Sequence, residues 1–250
     1  DQDAWIADFA AANPRCAVVL INGSVVSVES WIDRVPALLE AWYPGEAGGT
    51  VLAEMLFGDR SPAGRLPCTW GKRLVDYACH GNGSYPGERS GDDPHTIYRE
   101  GLFIGYRHFD RTGIAPRFPF GFGLSYSSFK QQLVGCTVVS GSTATPQVWV
   151  AFAVTNTGDR AAGQVIQLYV GAVDPALERP LKELKGFVKV TLQPGETREV
   201  ELPLAWRDFA CWEPRSKRWI VPAGQYKIYG ATSADDVFAV EIVTLCDVAK

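Results

Sequence analysis

Apolar and polar residues change rhythm near the middle of the chain. In the first half, Trp5, Ile6, Phe9 and Ala12 recur at helical spacing. This predicts a short amphipathic helix closed by Asn13-Pro14, because the residue before a proline resists the α conformation. Cys16 to Ile21 is an unbroken apolar run, as in a strand buried on both faces of a largely parallel sheet, and Asn22-Gly23-Ser24 supplies its exit turn. Pro36 to Trp42 predicts a second such strand. Beyond Tyr43-Pro44-Gly45, residues 46–57 read as a helix with Val51, Leu52, Met55 and Leu56 inward and Gly58 at its end. Arg65 to Trp70 reads as a short strand that Pro67 makes edge-like. Residues 78–96, rich in Gly, Ser, Asp, Pro and His, read as a long surface loop. Residues 98–110 then return to the interior through Tyr98, Leu102, Phe103, Ile104, Tyr106 and Phe109.

After Gln131 the period shortens to two. Strands are expected at 133–139, 148–156, 164–171, 184–192, 197–204, 218–221 with 224–229, and 237–243, a spacing that suits a β-sandwich. Val148, Val150, Phe152 and Val154 mark a core face, and Trp149 is read with the inward side of that strand. Asn156-Thr157-Gly158-Asp159 and Gln193-Pro194-Gly195-Glu196 read as hairpin turns. Between the halves, Phe118-Pro119-Phe120-Gly121-Phe122-Gly123-Leu124-Ser125-Tyr126 packs aromatics and glycines into a tight turn. The fold class is therefore α/β followed by all-β. A partial α/β/α sandwich with a mostly parallel sheet and its connecting segment occupies 1–126, and a β-sandwich occupies 127–250.

Composition narrows the function. A length of 250 residues, 46% of them hydrophobic and 8 of them Trp, supports well-formed cores. The formal net charge is -4 and no basic run occurs, which argues against a nucleic-acid partner. No apolar run approaches the roughly 20 residues that span a bilayer, so no membrane partner is expected. The first residues lack the basic start and apolar middle of a signal peptide. Cys16, Cys68, Cys79, Cys136, Cys211 and Cys246 form no CxxC pair and no zinc pattern with His80, His95 or His108. Cys16, Cys68, Cys136 and Cys211 sit in apolar runs, where free buried thiols are the simpler reading than disulfides, the redox compartment stays open, and neither a metal nor a cofactor is expected. Asn22-Gly23-Ser24 and Asn82-Gly83-Ser84 match the N-glycosylation sequon, and only Asn82 lies in a loop.

Candidate chemistry is sparse. Glu88, Asp92, Asp93 and His95 cluster in the long loop, where solvated side chains are the simpler reading of a carboxylate-histidine group. As a cleft rim the same loop would offer Tyr85, Asp92 and Asp93, with Tyr85 as a stacking platform. Glu100 beside Arg99 and Arg107 predicts a structural ion pair. Glu46 suits a helix N-terminus. Gly121 to Tyr126 begins like GxGxxG, but Tyr126 replaces the third glycine and no βαβ unit follows, so no dinucleotide site is expected. Among the tryptophans, Trp31, Trp42 and Trp70 read as core, whereas Trp206, Trp212 and Trp219 gather around one hairpin and could form a sugar-stacking patch.

Four ordered stretches carry a resemblance: Leu39 to Gly49 (LEAWYPGEAGG), Leu56 to Pro67 (LFGDRSPAGRLP), Tyr98 to Arg107 (YREGLFIGYR) and Phe118 to Tyr126. Together they resemble the C-terminal part of glycoside hydrolase family 3, the retaining β-glucosidases and their relatives. Val154 to Gly158, Gln167 to Val170 and Glu183 to Phe187 are similar to that family's fibronectin type III-like domain. The resemblance implies an Asp nucleophile on an N-terminal barrel and an acid/base Glu in the α/β sandwich, both upstream of this chain. No residue here then inherits a catalytic role. The chain reads as a fragment or as one chain of a cleaved enzyme, partnered by the barrel and a β-glucoside, with homo-oligomerisation open. β-Xylosidase and exo-β-glucanase are the alternatives within the family, and a non-catalytic carbohydrate-binding or interaction module is the alternative outside it. A β-glucan substrate and the Asn82 sequon favour an extracellular setting, while the unpaired cysteines point the other way.

Overall fold

The structure is a computed structural model that describes residues 2–90, 93–140, 146–246 and 248–249. Helix α1 (Gln2–Ala12) leads into β1 (Ala17–Leu20), and β2 (Ala37–Glu40) pairs with it in parallel, Ala17 opposite Ala37 and Leu20 opposite Glu40. Helix α2 (Gly48–Phe57) stops at Gly58, which takes the left-handed conformation at φ 85° that a residue without Cβ adopts at little cost. A small hairpin, β3 (Glu88–Ser90) and β4 (Asp93–His95), and helix α3 (Tyr106–Thr112) complete the first half. Its core gathers Val28, Trp31, Ile32, Val35 and Trp70, with Val18, Leu20 and Phe118 packed against them.

Several sequence expectations change here. The mostly parallel sheet is confined to the single pair β1 and β2, and every other strand pairing among the described residues is antiparallel. A continuous apolar run identifies a buried strand but does not say how many partners it has. Arg65 to Trp70 forms no strand. It runs beside the aromatic turn, with Leu66 N donating to Phe122 O and Trp70 N to Phe118 O. Leu56, expected inward, is exposed, as are Tyr98, Leu102 and Ile104, while Phe103 and Phe109 are buried as expected. Helical spacing shows which face is apolar and leaves open what covers it.

The second half is a two-sheet sandwich. Strands β5 (Phe129–Ser140), β6 (Pro146–Asn156) and β9 (Thr197–Leu204) form one sheet in the order β5-β6-β9. The other is β13-β12-β7-β8, from β7 (Ala162–Ala172), β8 (Glu183–Leu192), β12 (Gly224–Ala231) and β13 (Val237–Leu245). The one-turn helix α4 (Trp206–Phe209) precedes a third, small sheet of β10 (Cys211–Glu213), β11 (Arg218–Val221) and β14 (Val248–Ala249).

Val148, Val150, Phe152 and Val154 are wholly buried, as their alternation predicts. The same alternation sends Trp149 to the opposite face, where it is 40% exposed, correcting its inward reading. The two expected hairpin turns instead carry the chain between sheets, from β6 to β7 and from β8 to β9. They are bonded to each other, Asn156 N to Glu196 O at 3.0 Å and Gly195 N to Asn156 O at 2.9 Å. Turn chemistry fixes a reversal of direction but not the sheet that receives the next strand.

Candidate functional site

Strand β7 joins the halves. Residues Ala162 to Gly171 are all buried. Its inner side chains, Ile166, Leu168 and Val170, belong to the sandwich core. Its outer ones meet the aromatic turn and α3. Tyr106 lies between Phe120 (centroids 5.2 Å apart) and Tyr169 (5.7 Å, edge-on), and its hydroxyl accepts from Leu184 N at 2.8 Å. Gln167 donates to Thr232 O at 2.8 Å and accepts from the Tyr169 hydroxyl. Gly121 (φ 81°) has Gln167 where a Cβ would stand. The glycines that imitate a nucleotide loop thus serve close packing. Arg107, expected beside Glu100, reaches Glu183 at 3.4 Å, and Glu183 also accepts from Arg179 at 3.2 Å.

A second focus lies at the carboxyl ends of β1 and β2, where open α/β sheets present ligand crevices. Glu40, the last residue of β2, accepts from Trp42 N at 2.9 Å through Oε1. With its amide nitrogen turned toward Glu40, Asn22 donates to Oε1 at 3.3 Å and to Ser24 O at 3.1 Å. Oε2 is buried and has no hydrogen-bond partner. Burial raises the Glu40 carboxyl above its ordinary value, while the bonds from Trp42 and Asn22 pull it back. The Cys68 thiol is pushed up by burial and then by the Glu40 charge. Trp42 holds φ at 50°, the left-handed region a bulky residue seldom enters, and its ring sits 6.4 Å from that of Trp70. An open groove lined by Gly23, Ser24, Val25, Trp42, Pro67 and Cys68 runs past these groups. Burial thus favours the neutral carboxyl, and no neighbouring group bonds Oε2. Sequence reasoning missed Glu40, although a carboxylate ending the apolar run Ala37-Leu38-Leu39 was a usable signal.

The long loop is tied down by its own polar groups. Asn82 donates to Ala78 O at 2.7 Å and accepts from Ser84 N at 2.8 Å. The buried Ser84 hydroxyl faces Ile97 O at 2.8 Å and Glu100 Oε2 at 3.1 Å, and Arg99 donates to Asn82 O at 3.0 Å. Glu100 therefore meets a hydroxyl, and the Asn82 amide is already engaged in the folded loop. Tyr85 is 61% exposed on the loop. Asp93 opens β4, and its side chain lies outside the described residues, as does Asp92 altogether. The groove at the strand ends does not include Tyr85. Glu46 precedes α2 without capping it. All six cysteines are free. Among the described residues no group of His, Cys, Asp and Glu could hold a metal ion, and no helix is long and apolar enough to cross a membrane.

An α/β segment clamped by an aromatic turn onto an antiparallel sandwich defines a recognisable class. Residues 1–106 match the glycosyl hydrolase family 3 C-terminal domain, and residues 164–234 match the fibronectin type III-like domain. The chain belongs to glycoside hydrolase family 3, of which it carries the C-terminal part. It is 42% identical over 241 residues to a β-glucosidase of Rhizobium radiobacter, covering 95% of this chain and 28% of that protein. It is 39% identical over 236 residues to an exo-α-(1→6)-L-arabinopyranosidase of Bifidobacterium breve, covering 94% of this chain and 30% of that protein. The crystal structure of a family 3 β-glucosidase from Bifidobacterium adolescentis superposes with a TM-score of 0.89 at 40% identity, covering 98% of this chain and 35% of that one. The chain thus spans about a third or less of the length of the relatives it matches.

Proposed function

We propose that the chain serves as the C-terminal part of a retaining β-glucosidase that releases terminal non-reducing β-D-glucosyl residues, with residues 1–126 as scaffold and active-site wall and 127–250 as the supporting sandwich. The observation that carries this reading is end-to-end similarity to β-glucosidases that are about three times longer. In retaining hydrolysis one carboxylate forms a glycosyl-enzyme intermediate, and a second, roughly 5 Å away, protonates the leaving oxygen and then activates water. Both are assigned here to the upstream part of the enzyme, and this chain holds the wall against which the acid-bearing segment closes. The free apolar surface around α1 and β1 supports a covering partner. Trp5, Phe9 and Ile21 are all more than half exposed, and Ile6, Phe9, Cys16 and Val18 line an open groove beside them. Tyr85, Asp92 and Asp93 are proposed as the cleft rim on the aglycone side.

Sugar choice is assigned to the upstream part too, because relatives named for a glucoside and for an arabinopyranoside resemble this chain almost equally. The test is hydrolysis of an aryl β-D-glucoside by the 250-residue chain alone and by the same chain joined to an upstream family 3 barrel. Turnover only in the joined form, with β-glucose as first product by NMR, supports the reading. Turnover by the chain alone, or α-glucose as first product, would overturn it.

A further inference from the structure

Trp212 and Trp219 stand directly opposite each other on β10 and β11, with ring centroids 5.6 Å apart and planes at 61°. Both remain exposed, by 46% and 36%. The opposite side of this hairpin carries Cys211 and Ile220, which are half-buried, so the two indoles occupy the outward face. The Arg207 guanidinium stacks on Trp219, 3.1 Å from the ring centroid, which fixes that ring and places a cation beside it. The turn that ends the hairpin adds exposed Arg215 and Lys217, and Arg218 follows at the start of β11.

The acids of this region are held by backbone N–H groups and keep their charge. Glu213 accepts from the backbone N–H groups of Arg215 and Ser216, and Asp208 accepts from Ala205 N at 2.8 Å. Residues 206–219 carry Arg207, Arg215, Lys217 and Arg218 against Asp208 and Glu213, a local excess of positive charge beside two exposed indoles on a chain whose formal net charge is -4. An apolar partner would not select the cations, and a neutral sugar would meet them only through uncharged hydroxyls. A pyranose carrying a carboxylate uses both, its C–H face on an indole and its anion on a guanidinium or ammonium.

We infer that Trp212 and Trp219, with Arg207, Arg215 and Lys217, form a binding platform for acidic oligosaccharides built from uronic acid residues. The platform lies on the sandwich, and its use requires no hydrolysis by the chain.

Titration of the full 250-residue chain with tetragalacturonate, followed by tryptophan fluorescence and calorimetry, tests it, with cellotetraose and a single-stranded oligonucleotide as comparisons. Saturable binding of tetragalacturonate is expected, at least tenfold tighter than cellotetraose and weakening as salt rises. Trp212→Ala should weaken it tenfold or more. Arg215→Ala with Lys217→Ala should reduce affinity and flatten the salt dependence, circular dichroism remaining unchanged in both variants. No saturable binding, binding indifferent to both substitutions, or tighter binding of the oligonucleotide would overturn the proposal. None of these outcomes bears on whether the joined enzyme hydrolyses a β-glucoside.

Discussion

Lys182 Nζ lies 2.6 and 2.7 Å from the two carboxylate oxygens of Asp110, and these side chains are exposed by only 7% and 10%. The pair links the end of α3 to the segment that enters β8, so it bridges the two halves. Burial raises the Asp110 carboxyl and Lys182 pulls it back. Removing the cation alone strands a buried carboxylate, which costs about 3–5 kcal/mol, whereas replacing both partners by apolar groups is close to neutral. Lys182→Met is therefore expected to lower the urea midpoint sharply at pH 7.5 and progressively less as pH falls, because proton uptake relieves the stranded carboxyl. Adding Asp110→Leu should restore most of the loss.

Glu40 gives a pH dependence of the same direction in the parent chain. Its carboxyl is raised on folding, so the stability it contributes is complete below the ordinary glutamate value of about 4.3 and is lost as pH climbs through the raised value. Glu40→Gln keeps an acceptor for Trp42 N and needs no ionised form. This variant should be more stable than the parent at pH 7.5 and no more stable at pH 4, as read from thermal midpoints across that range.

Gly121 permits the aromatic turn to sit against β7. A methyl there would meet the Gln167 amide and force φ 81° on an L side chain. Gly121→Ala is expected to cost about 1–3 kcal/mol by overpacking, with a further contribution from the backbone. Pairing it with Gln167→Ala should recover the packing part only, which a double-mutant cycle by chemical denaturation would separate.

The thiols should react in a fixed order. Burial, followed by the nearby Glu241 charge, raises Cys136 to about 11, so almost none of it is thiolate at pH 8. Cys246 is exposed. Mass mapping after brief iodoacetamide treatment should find Cys246 modified well before Cys136, and equal labelling of the two in the native chain would contradict the packing around β5.

What the sequence disclosed follows from range. The core face of β6 is written in Val148, Val150, Phe152 and Val154 because a strand's alternation needs no knowledge of its neighbours. Helix α1 was legible from its spacing and the Asn13-Pro14 stop for the same reason. The hairpin reading of Gln193 to Glu196 failed because identical turn residues serve a return within one sheet and a crossing to another. Glu40 went unnoticed as a site because its significance arises only when Asn22, Trp42 and Cys68, distant in sequence, are brought around it. Asn82 matched a modification motif, yet the bonds that engage its amide are visible only in the folded loop.

Strand β7 is buried from both sides, by the sandwich on one and by Tyr106, Phe120 and Gly121 on the other. A cut after residue 126, although it falls at a natural change of rhythm, would bare the outer side of that strand. Exchanging the sandwich among relatives would thus require the 118–126 turn and α3 to travel with β7 as one inherited block, so the smallest transplantable unit is larger than the sandwich itself.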